Sequence, residues 1–357
     1  MSHFHSLKIN KLVRDTRDAI LVSFEVPDEL REMFDYQPGQ HLTLRALIAG
    51  QEQRRSYSIC SAIQDDELRI AIKKVSGGVF SGWAHETLAS GMTLEVMPPT
   101  GSFHLPLSPD HDRHYLAFAA GSGITPVFSI IKSTLLAEPK SRFTLVYGNR
   151  ASSTVMLRDQ LADLKDQFLD RLSIIHVMSR EKQDIDLFNG RIDADKCHAL
   201  LEQWIRLDDI DHVFTCGPQQ MMDQVEATLM AMGMDKSLIH AELFGVASAP
   251  AARTRVTDTV NDAQCEVTLV IDGRHFLFSM PRDTMPVLEA GLAQGIEIPY
   301  ACKGGICATC RCKVIEGKAD MDANHALEDY EVAGGFVLSC QAFPVTEELV
   351  LSFDQDA

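Results

Sequence analysis

Apolar and polar residues alternate in short runs through the first hundred positions of the chain. Such alternation is typical of strands that bury one face, and turn signals at Pro38-Gly39, Asp65-Asp66 and Gly77-Gly78 separate the runs. The pattern predicts an antiparallel β-barrel interrupted by one helix. The predicted strands are 19–26, 40–48, 54–60, 68–75 and 93–97, and the predicted helix is 80–88.

From residue 115 the pattern changes to apolar strands that alternate with longer helical segments. This order predicts a parallel sheet with helices on both faces, the α/β architecture of nucleotide-binding domains. The predicted strands are 115–119, 143–147, 172–177, 212–215 and 239–243, and the predicted helices are 126–136, 155–168, 194–205 and 219–232.

The stretch 246–263 has low hydrophobicity and no clear periodicity, which predicts a linker. Beyond it, a hairpin is expected to turn at Asp272-Gly273, followed by a short helix over 285–294. We therefore divide the chain into a barrel domain (1–110), an α/β domain (111–245), the linker and a C-terminal domain (264–357).

The net charge and the cysteine content limit the classes of protein to which the chain can belong. The formal net charge is −17, and the residues from Gln264 onward carry 15 acidic and 6 basic side chains, a net of −9. This balance argues against nucleic-acid binding. The acidic surface is either a solvated face or a surface that is steered onto a basic partner. No apolar leader or membrane-length run is evident, and the nine cysteines suit a reducing compartment, so we expect a cytoplasmic protein with no membrane contact.

Cysteines carry the most specific pattern in the chain. Cys302, Cys307 and Cys310 follow Cys-x4-Cys-x2-Cys spacing, and Cys340 lies further on, a pattern typical of plant-type 2Fe-2S clusters. A zinc site remains a weaker alternative, because this spacing is unusual for zinc. Cys312 lies two residues beyond a predicted ligand, and we expect it to pack in the core.

A strand in the barrel resembles a known motif. Arg55-Ser56-Tyr57-Ser58 is similar to the Arg-x-Tyr-Ser motif of the ferredoxin-NADP reductase superfamily. The resemblance implies that Arg55 binds flavin phosphate, Tyr57 stacks on the isoalloxazine ring and Ser58 hydrogen-bonds the ring near N5. A second match implies that Gly78 and Ser81 approach the flavin pyrophosphate at a helix N-terminus. FAD is the predicted flavin, with FMN as the alternative.

A glycine-containing loop, Gly121-Ser122-Gly123-Ile124-Thr125-Pro126, is predicted to connect a strand to a helix. Its position suits the binding of a pyrophosphate at the helix N-terminus. In the superfamily this loop lies under the nicotinamide nucleotide, which implies roles for Gly121 and Gly123 and places Thr125 near the nicotinamide.

Two further segments resemble the same superfamily. Cys216-Gly217-Pro218 is similar to its Cys-Gly-Pro motif, in which the cysteine lies beside the nicotinamide C4. The segment that contains Glu242 and Phe244 is similar to the end of its nucleotide domain, where an acid and an aromatic ring approach the flavin. Ser58, Cys216 and Glu242 are therefore the predicted catalytic residues.

Coenzyme preference depends on Ser179-Arg180, after the third strand of the α/β domain. In NADP-dependent relatives such a pair holds the 2'-phosphate, which a guanidinium binds bidentately. Arg150 is a second candidate for the phosphate, whereas Glu181 opposes it. We expect NADPH, with NADH as the alternative.

The module order is shared by reductases of bacterial oxygenases, and it implies a β-grasp ferredoxin fold for the C-terminal domain. Runs such as 38–44, 301–313 and 338–342 more narrowly resemble the family of phenylacetyl-CoA 1,2-epoxidase reductase subunits. That resemblance implies transient docking to di-iron oxygenase subunits. The alternatives are a reductase for another oxygenase or a hybrid-cluster protein, or an iron-sulfur redox sensor without turnover. A flavin is expected because a hydride carries two electrons and the cluster accepts one at a time.

Overall fold

A computed structural model describes residues 3–244, 264–282 and 284–354 of the chain. The predicted linker 246–263 lies outside these residues. The described residues fall into two compact units. One comprises 4–53 and 57–244, and the other comprises the C-terminal region together with His3 and residues 54–56.

Six strands of the first hundred residues form one sheet in the order β4-β3-β6-β1-β2-β5. Past the end of β4, Ile59 bridges to Ile70 of β5, so the two edges of the sheet meet as a barrel requires. Leucine, isoleucine and phenylalanine side chains of this region pack together into one hydrophobic core. The elements are β1 (His5–Thr16), β2 (Ala19–Glu25), β3 (His41–Ile48), β4 (Gln51–Ser58), β5 (Leu68–Lys73), α1 (Val79–Thr87) and β6 (Thr93–Val96).

The next segment folds into a five-stranded parallel sheet in the order β11-β10-β7-β8-β9. The strand order reverses between β7 and β10, and in such sheets ligands bind at the carboxyl ends of the strands beside this switch point. The elements are β7 (His114–Ala120), α2 (Ile124–Ala137), β8 (Arg142–Asn149), α3 (Arg158–Gln167), β9 (Leu172–Met178), α4 (Ala194–Gln203), β10 (His212–Gly217), α5 (Gln219–Ala231) and β11 (Ile239–Leu243).

The C-terminal region has a mixed sheet in the order β13-β12-β18-β14-β16, in which β12 and β18 pair parallel. The predicted hairpin turns at Asp272 and Gly273, which have φ of 50° and 71° and so form a tight turn. The elements are β12 (Gln264–Ile271), β13 (Arg274–Pro281), α6 (Val287–Ala293), β14 (Arg311–Glu316), β15 (Ala319–Met321), α7 (Asp329–Ala333), β16 (Phe336–Leu338), β17 (Ala342–Pro344) and β18 (Glu348–Ser352).

The predicted fold class, a barrel, a parallel α/β domain and a ferredoxin-like domain, is confirmed. The sequence analysis missed one strand and placed the start of one helix wrongly. The sequence pattern missed β1, and α3 begins at Arg158 rather than at 155, because Leu157 adopts a left-handed φ of 56° that a helix cannot contain. Within the described residues, no helix combines the length and apolar character needed to cross a membrane.

Candidate active site

Two loops meet at the switch point of the parallel sheet. The turn Gly121–Gly123 follows β7, and Cys216 and Gly217 end the neighbouring strand β10. A Cβ on Gly123 would lie 2.1 Å from the carbonyl oxygen of Cys216, so only glycine permits this approach. Gly121 has a φ of 56°, which also favours glycine.

The side chains around these loops are held locally. Thr125 is buried in the first turn of α2, and its hydroxyl donates to the Ser122 carbonyl at 3.0 Å. A Cβ on Gly217 would lie 2.8 Å from the Met221 Cε, and Pro218 caps α5. The loops therefore form a close-packed surface at the carboxyl ends of β7 and β10.

Ser58, Cys216 and Glu242, the predicted catalytic residues, lie close together. Parallel pairing of β10 with β11 sets Glu242 beside Cys216, and Ser58 Oγ donates to Glu242 Oε2 at 3.2 Å. Burial raises the pKa of Glu242 to about 8, although the Ser58 hydrogen bond opposes the change. Burial and the neighbouring Glu242 raise the pKa of the Cys216 thiol well above its usual range. Both groups are therefore protonated at neutral pH.

His41 joins this group, and sequence reasoning missed it. Its Nδ1 lies 3.8 Å from Glu242 Oε1, and its ring is almost fully buried. The available signal was a titratable side chain at the start of β3, where the pattern of the strand predicts buried positions.

The other predicted flavin residues lie on β4 and at the start of α1. Arg55 is exposed on β4 and donates from Nη1 to the Arg54 carbonyl at 2.6 Å. The rings of Tyr57 and Phe80 lie 5.8 Å apart. Phe244, which follows β11, is 38% exposed.

The segment that leads into α1 is a closed turn. Ser81 Oγ accepts a hydrogen bond from the Val75 amide at 3.1 Å, and a Cβ on Gly78 would lie 2.6 Å from that oxygen. Gly77 has a φ of 73° and open space around its Cα. The turn leaves room for a ligand at Gly77, while Gly78 and Ser81 shape its backbone.

The predicted phosphate residues are brought together by backbone pairing beyond β8 and β9. The Arg180 amide donates to the Arg150 carbonyl at 2.8 Å, and the Ser179 amide donates to the Asn149 carbonyl at 2.9 Å. All three predicted residues are exposed. Beside them, the buried side chain of Asn149 lies against the Tyr147 hydroxyl and helps to fix the end of β8.

Glu181 is hydrogen-bonded to the turn that follows Arg150. Its carboxylate accepts hydrogen bonds from the Ser152 amide at 2.8 Å and hydroxyl at 2.9 Å, and these bonds lower the pKa of Glu181. The Glu181 carboxylate therefore helps to hold the adjacent turn through Ser152.

Lys73 supplies a further cation that sequence reasoning missed. Its Nζ lies 3.1 Å from the position that a Cβ on Gly121 would take. Burial lowers the pKa of Lys73, and the positive charge of Arg150 adds to this effect. Two cations beside a glycine turn are suited to an anion such as pyrophosphate. No sequence motif marks this lysine, because β5 is distant from Gly121 in the chain.

The cysteine loop lies between α6 and β14 in the C-terminal region. Lys303, Gly305 and Ala308 have φ of 54°, 73° and 51°, so the backbone turns sharply three times within six residues. A Cβ on Gly305 would lie 2.9 Å from the Ala323 carbonyl oxygen. Cys302 is exposed, whereas Cys307, Cys310 and Cys340 are buried.

The four predicted ligand thiols form one connected set. Hydrogen bonds from the thiols of Cys307 and Cys340 lower the pKa of Cys302, and Cys340 likewise lowers the pKa of Cys310. The donating thiols of Cys307 and Cys340 have raised pKa values. The Gly304 amide also donates to Cys302 Sγ at 3.3 Å. This arrangement fits a 2Fe-2S cluster, which four cysteine thiolates hold.

The side chains around the four thiols are also consistent with a 2Fe-2S cluster. The buried hydroxyl of Ser339 lies against Cys310 and lowers its pKa. In the described part of the chain, no three His, Cys, Asp or Glu side chains converge as one metal ion requires; a two-iron cluster needs only two thiolates on each iron. Cys312 is buried, its thiol faces the Val337 carbonyl at 3.7 Å, and it packs in the core.

Comparisons with known families agree with this architecture. Residues 6–105 match the oxidoreductase FAD-binding domain, residues 118–227 match the oxidoreductase NAD-binding domain, and residues 269–345 match the 2Fe-2S iron-sulfur cluster binding domain. The chain is therefore an oxidoreductase with domains for FAD, a nicotinamide nucleotide and a 2Fe-2S cluster.

Full-length relatives define the family more narrowly. The chain is 46% identical to a 1,2-phenylacetyl-CoA epoxidase subunit of Escherichia coli K12 over 99% of both chains. It is 36% identical to the ferredoxin reductase component of 3-ketosteroid-9-alpha-monooxygenase of Rhodococcus rhodochrous, over 97% of this chain and 96% of the relative. The solved structure of phthalate dioxygenase reductase matches 98% of both chains with a TM-score of 0.59 and 25% identity. The chain belongs to the family of oxygenase reductases that includes this phenylacetyl-CoA epoxidase component.

Proposed function

We propose that the chain is the reductase subunit of a phenylacetyl-CoA 1,2-epoxidase. It would take electrons from NADPH and deliver them to a di-iron oxygenase subunit in aerobic phenylacetate breakdown, with FAD and a 2Fe-2S cluster as its redox groups. The observation that carries the reductase function is the contact of Ser58 with Glu242 beside Cys216 at the switch point. The full-length identity to the epoxidase component supports the choice of acceptor.

The bound flavin supplies the conversion of a two-electron donor into one-electron transfers. Arg55 would pair with its phosphate, Tyr57 and Phe244 would cover its ring, and Gly78 with Ser81 would shape the pyrophosphate turn. Ser58 would donate a hydrogen bond at N5. Glu242 would hold Ser58 in this role: with the flavin bound, the protonated carboxyl of Glu242 would donate to Ser58 Oγ, which leaves the serine proton for N5.

The nicotinamide nucleotide would lie over the switch-point loops. Gly121 and Gly123 would admit the pyrophosphate close to the backbone, and Lys73 would add a positive charge beside them. Thr125 and the Cys216-Gly217-Pro218 turn would border the nicotinamide. A neutral Cys216 thiol suits this position, because it adds no negative charge where a hydride departs.

NADPH is the proposed coenzyme. Arg150 and Arg180 are neighbours through their backbones, with Ser179 beside them. A doubly charged 2'-phosphate gains charge-assisted hydrogen bonds from such a pair that a ribose hydroxyl does not. Glu181 opposes this preference, since its hydrogen bonds with Ser152 keep the carboxylate charged next to Arg180.

Cys302, Cys307, Cys310 and Cys340 are the proposed cluster ligands, in a ferredoxin domain of 264–357 that follows a barrel of 1–110 and a nucleotide domain of 111–245. The oxygenase subunit would dock transiently on this domain. Its net charge of −9 from Gln264 onward would steer it to a basic partner surface. None of the nine cysteines forms a disulfide, which supports a cytoplasmic location.

Turnover with the oxygenase tests the proposal. A lysate of the host that lacks this chain would be supplied with NADPH and phenylacetyl-CoA, with and without the purified chain, and with an oxygen-free control. Loss of phenylacetyl-CoA only when both the chain and oxygen are present is the expected result. If the chain oxidises NADPH with cytochrome c while phenylacetyl-CoA persists, the epoxidase assignment is wrong and another oxygenase is the acceptor. If no NADPH is oxidised, the reductase function is also wrong.

A further inference from the structure

Tyr147 places a hydroxyl in the interior of the α/β domain, close to the carboxyl end of β8. Its side chain is fully buried, and burial raises the pKa of the phenol, so the hydroxyl keeps its proton. The hydroxyl donates to the Gly121 carbonyl at 2.9 Å, and the Met156 carbonyl lies 3.4 Å from the same oxygen. One buried phenol therefore joins two loops, the Gly121–Gly123 turn and the segment that precedes α3.

The Gly121 carbonyl lies just beyond the part of β7 that the sheet holds. Pairing of β7 with β8 ends at Ala120, and the turn Gly121–Gly123 follows directly. Gly121 has a φ of 56°, and glycine has more backbone conformations open to it than any other residue. A backbone carbonyl that leaves the ladder needs another partner, and the Tyr147 hydroxyl supplies it. This hydrogen bond therefore favours one conformation of a turn that would otherwise be loosely held.

The second contact of the hydroxyl is to a segment that is itself anchored. Leu157 follows Met156, and its amide donates to both carboxyl oxygens of Asp15 on β1, at 3.1 Å and 3.2 Å. The Tyr147 hydroxyl lies between this anchored segment and the glycine turn.

We infer that Tyr147 is a positioning residue for the nicotinamide nucleotide, because its hydroxyl holds the Gly121 turn in the conformation that receives the pyrophosphate. The inference rests on the proposed function, in which backbone amides at the N-terminus of α2 meet the phosphate oxygens. A turn that is ordered before the ligand arrives lowers the entropy cost of binding. Because the phenol is fully buried, it acts through the turn rather than on the ligand.

Binding of two ligands to the holoprotein tests this role. Calorimetric titration would give the Kd of NADP⁺, which has a pyrophosphate, and of adenosine 2'-phosphate, which has none. Tyr147→Phe keeps the ring and removes the hydroxyl. It should raise the Kd of NADP⁺ about fivefold, the effect of one net hydrogen bond, and leave that of adenosine 2'-phosphate unchanged. In cytochrome c reduction the KM for NADPH should rise while kcat stays at the wild-type value, because the lost contact weakens ground state and transition state equally.

Tyr115→Phe is the matched control. Tyr115 is a buried tyrosine at the amino end of β7, and its hydroxyl donates to Glu138 Oε2 at 3.0 Å. This variant also loses a buried hydrogen bond, but at the opposite end of the strand from the Gly121 turn. Both ligands should therefore bind to it as they bind to the wild type.

Hydrogen exchange provides a second measurement, without nucleotide. Mass spectrometry of a peptide that spans 121–123 should show amide exchange about fivefold faster in Tyr147→Phe than in the wild type, because the turn opens more often when its tether is missing. The same peptide in Tyr115→Phe should exchange at the wild-type rate.

A wild-type Kd for NADP⁺ in Tyr147→Phe would overturn the inference. Equal weakening of both ligands would also overturn it, because the tyrosine would then support the whole domain rather than the turn. Unchanged exchange at 121–123 would have the same consequence. A wild-type protein that NADPH fails to reduce would instead refute the proposed function, and the exchange of 121–123 would still decide whether Tyr147 holds the turn.

Discussion

Exchanging Glu242 for glutamine removes a carboxyl group and keeps its shape. Burial raises the pKa of this group from its ordinary value of 4.5 to about 8 in the folded chain. Between these two values the folded state holds a proton that the unfolded state has lost. The free energy of unfolding therefore falls as pH rises through this window, and the loss is complete above pH 8.

The size of this loss in the free energy of unfolding follows from the same rise in the pKa of Glu242. One pH unit is worth about 1.4 kcal/mol, so a rise from 4.5 to about 8 corresponds to at most about 5 kcal/mol. The side chain retains 14% exposure, which lets water stabilise part of the charge. We therefore expect about 3 kcal/mol of pH-dependent destabilisation from Glu242 in the wild type.

Urea unfolding at about pH 5 and pH 8.5 measures the difference. The tryptophans, Trp83 and Trp204, lie in the same compact unit as Glu242, so their fluorescence reports the relevant transition. Glu242→Gln should be the more stable protein at the higher pH, and its advantage should shrink toward pH 5. Glu202→Gln, an exposed carboxyl on α4, should follow the wild type at both values. An identical pH slope in wild type and Glu242→Gln would refute the reasoning, since all other titrating groups are shared.

Three further substitutions test the cofactor sites. Cys340→Ser should keep NADPH-dependent flavin reduction, but its rate of cytochrome c reduction should fall at least about 100-fold and the cluster absorbance should be lost. The control, Cys312→Ser, should keep cytochrome c reduction and the cluster absorbance. Cluster absorbance retained in Cys340→Ser would contradict the assignment. Arg180→Ala should raise the Kd for NADPH about tenfold or more and leave that for NADH nearly unchanged, and equal effects in a titration would exclude a phosphate contact. Lys73→Met should weaken binding of both coenzymes about tenfold, while Lys74→Met, which loses only an exposed pair with Glu86, should not.

The barrel and the parallel sheet could be predicted because their strands carry strong apolar patterns. β1 was missed, since of its twelve residues only Leu7 and Ile9 are fully buried and four of the others are charged. The short strands after the cysteine loop also escaped. β15, β16 and β17 have three residues each, and that length gives no measurable period.

Sequence motifs predicted site residues only where those residues lie in one short segment of the chain. Ser58, Cys216 and Glu242 each lie in a recognisable run, and the structure brings them together. His41 gains its position from the approach of β3 to β11, and Lys73 gains its position from the approach of β5 to the Gly121 turn; no local pattern contains either approach. The titratable side chains around the motif residues are therefore brought there by tertiary contacts.

The residues proposed for hydride acceptance and those proposed for the cluster belong to different compact units. Ser58, Cys216 and Glu242 belong to the unit of 4–53 and 57–244, whereas the four cluster cysteines belong to the other. The serine hydroxyl and the thiol set are each held by contacts within their own unit. We therefore expect a change to one of the proposed cluster thiols to leave the Ser58–Glu242 hydrogen bond in place. Single substitutions should then separate hydride acceptance from one-electron delivery.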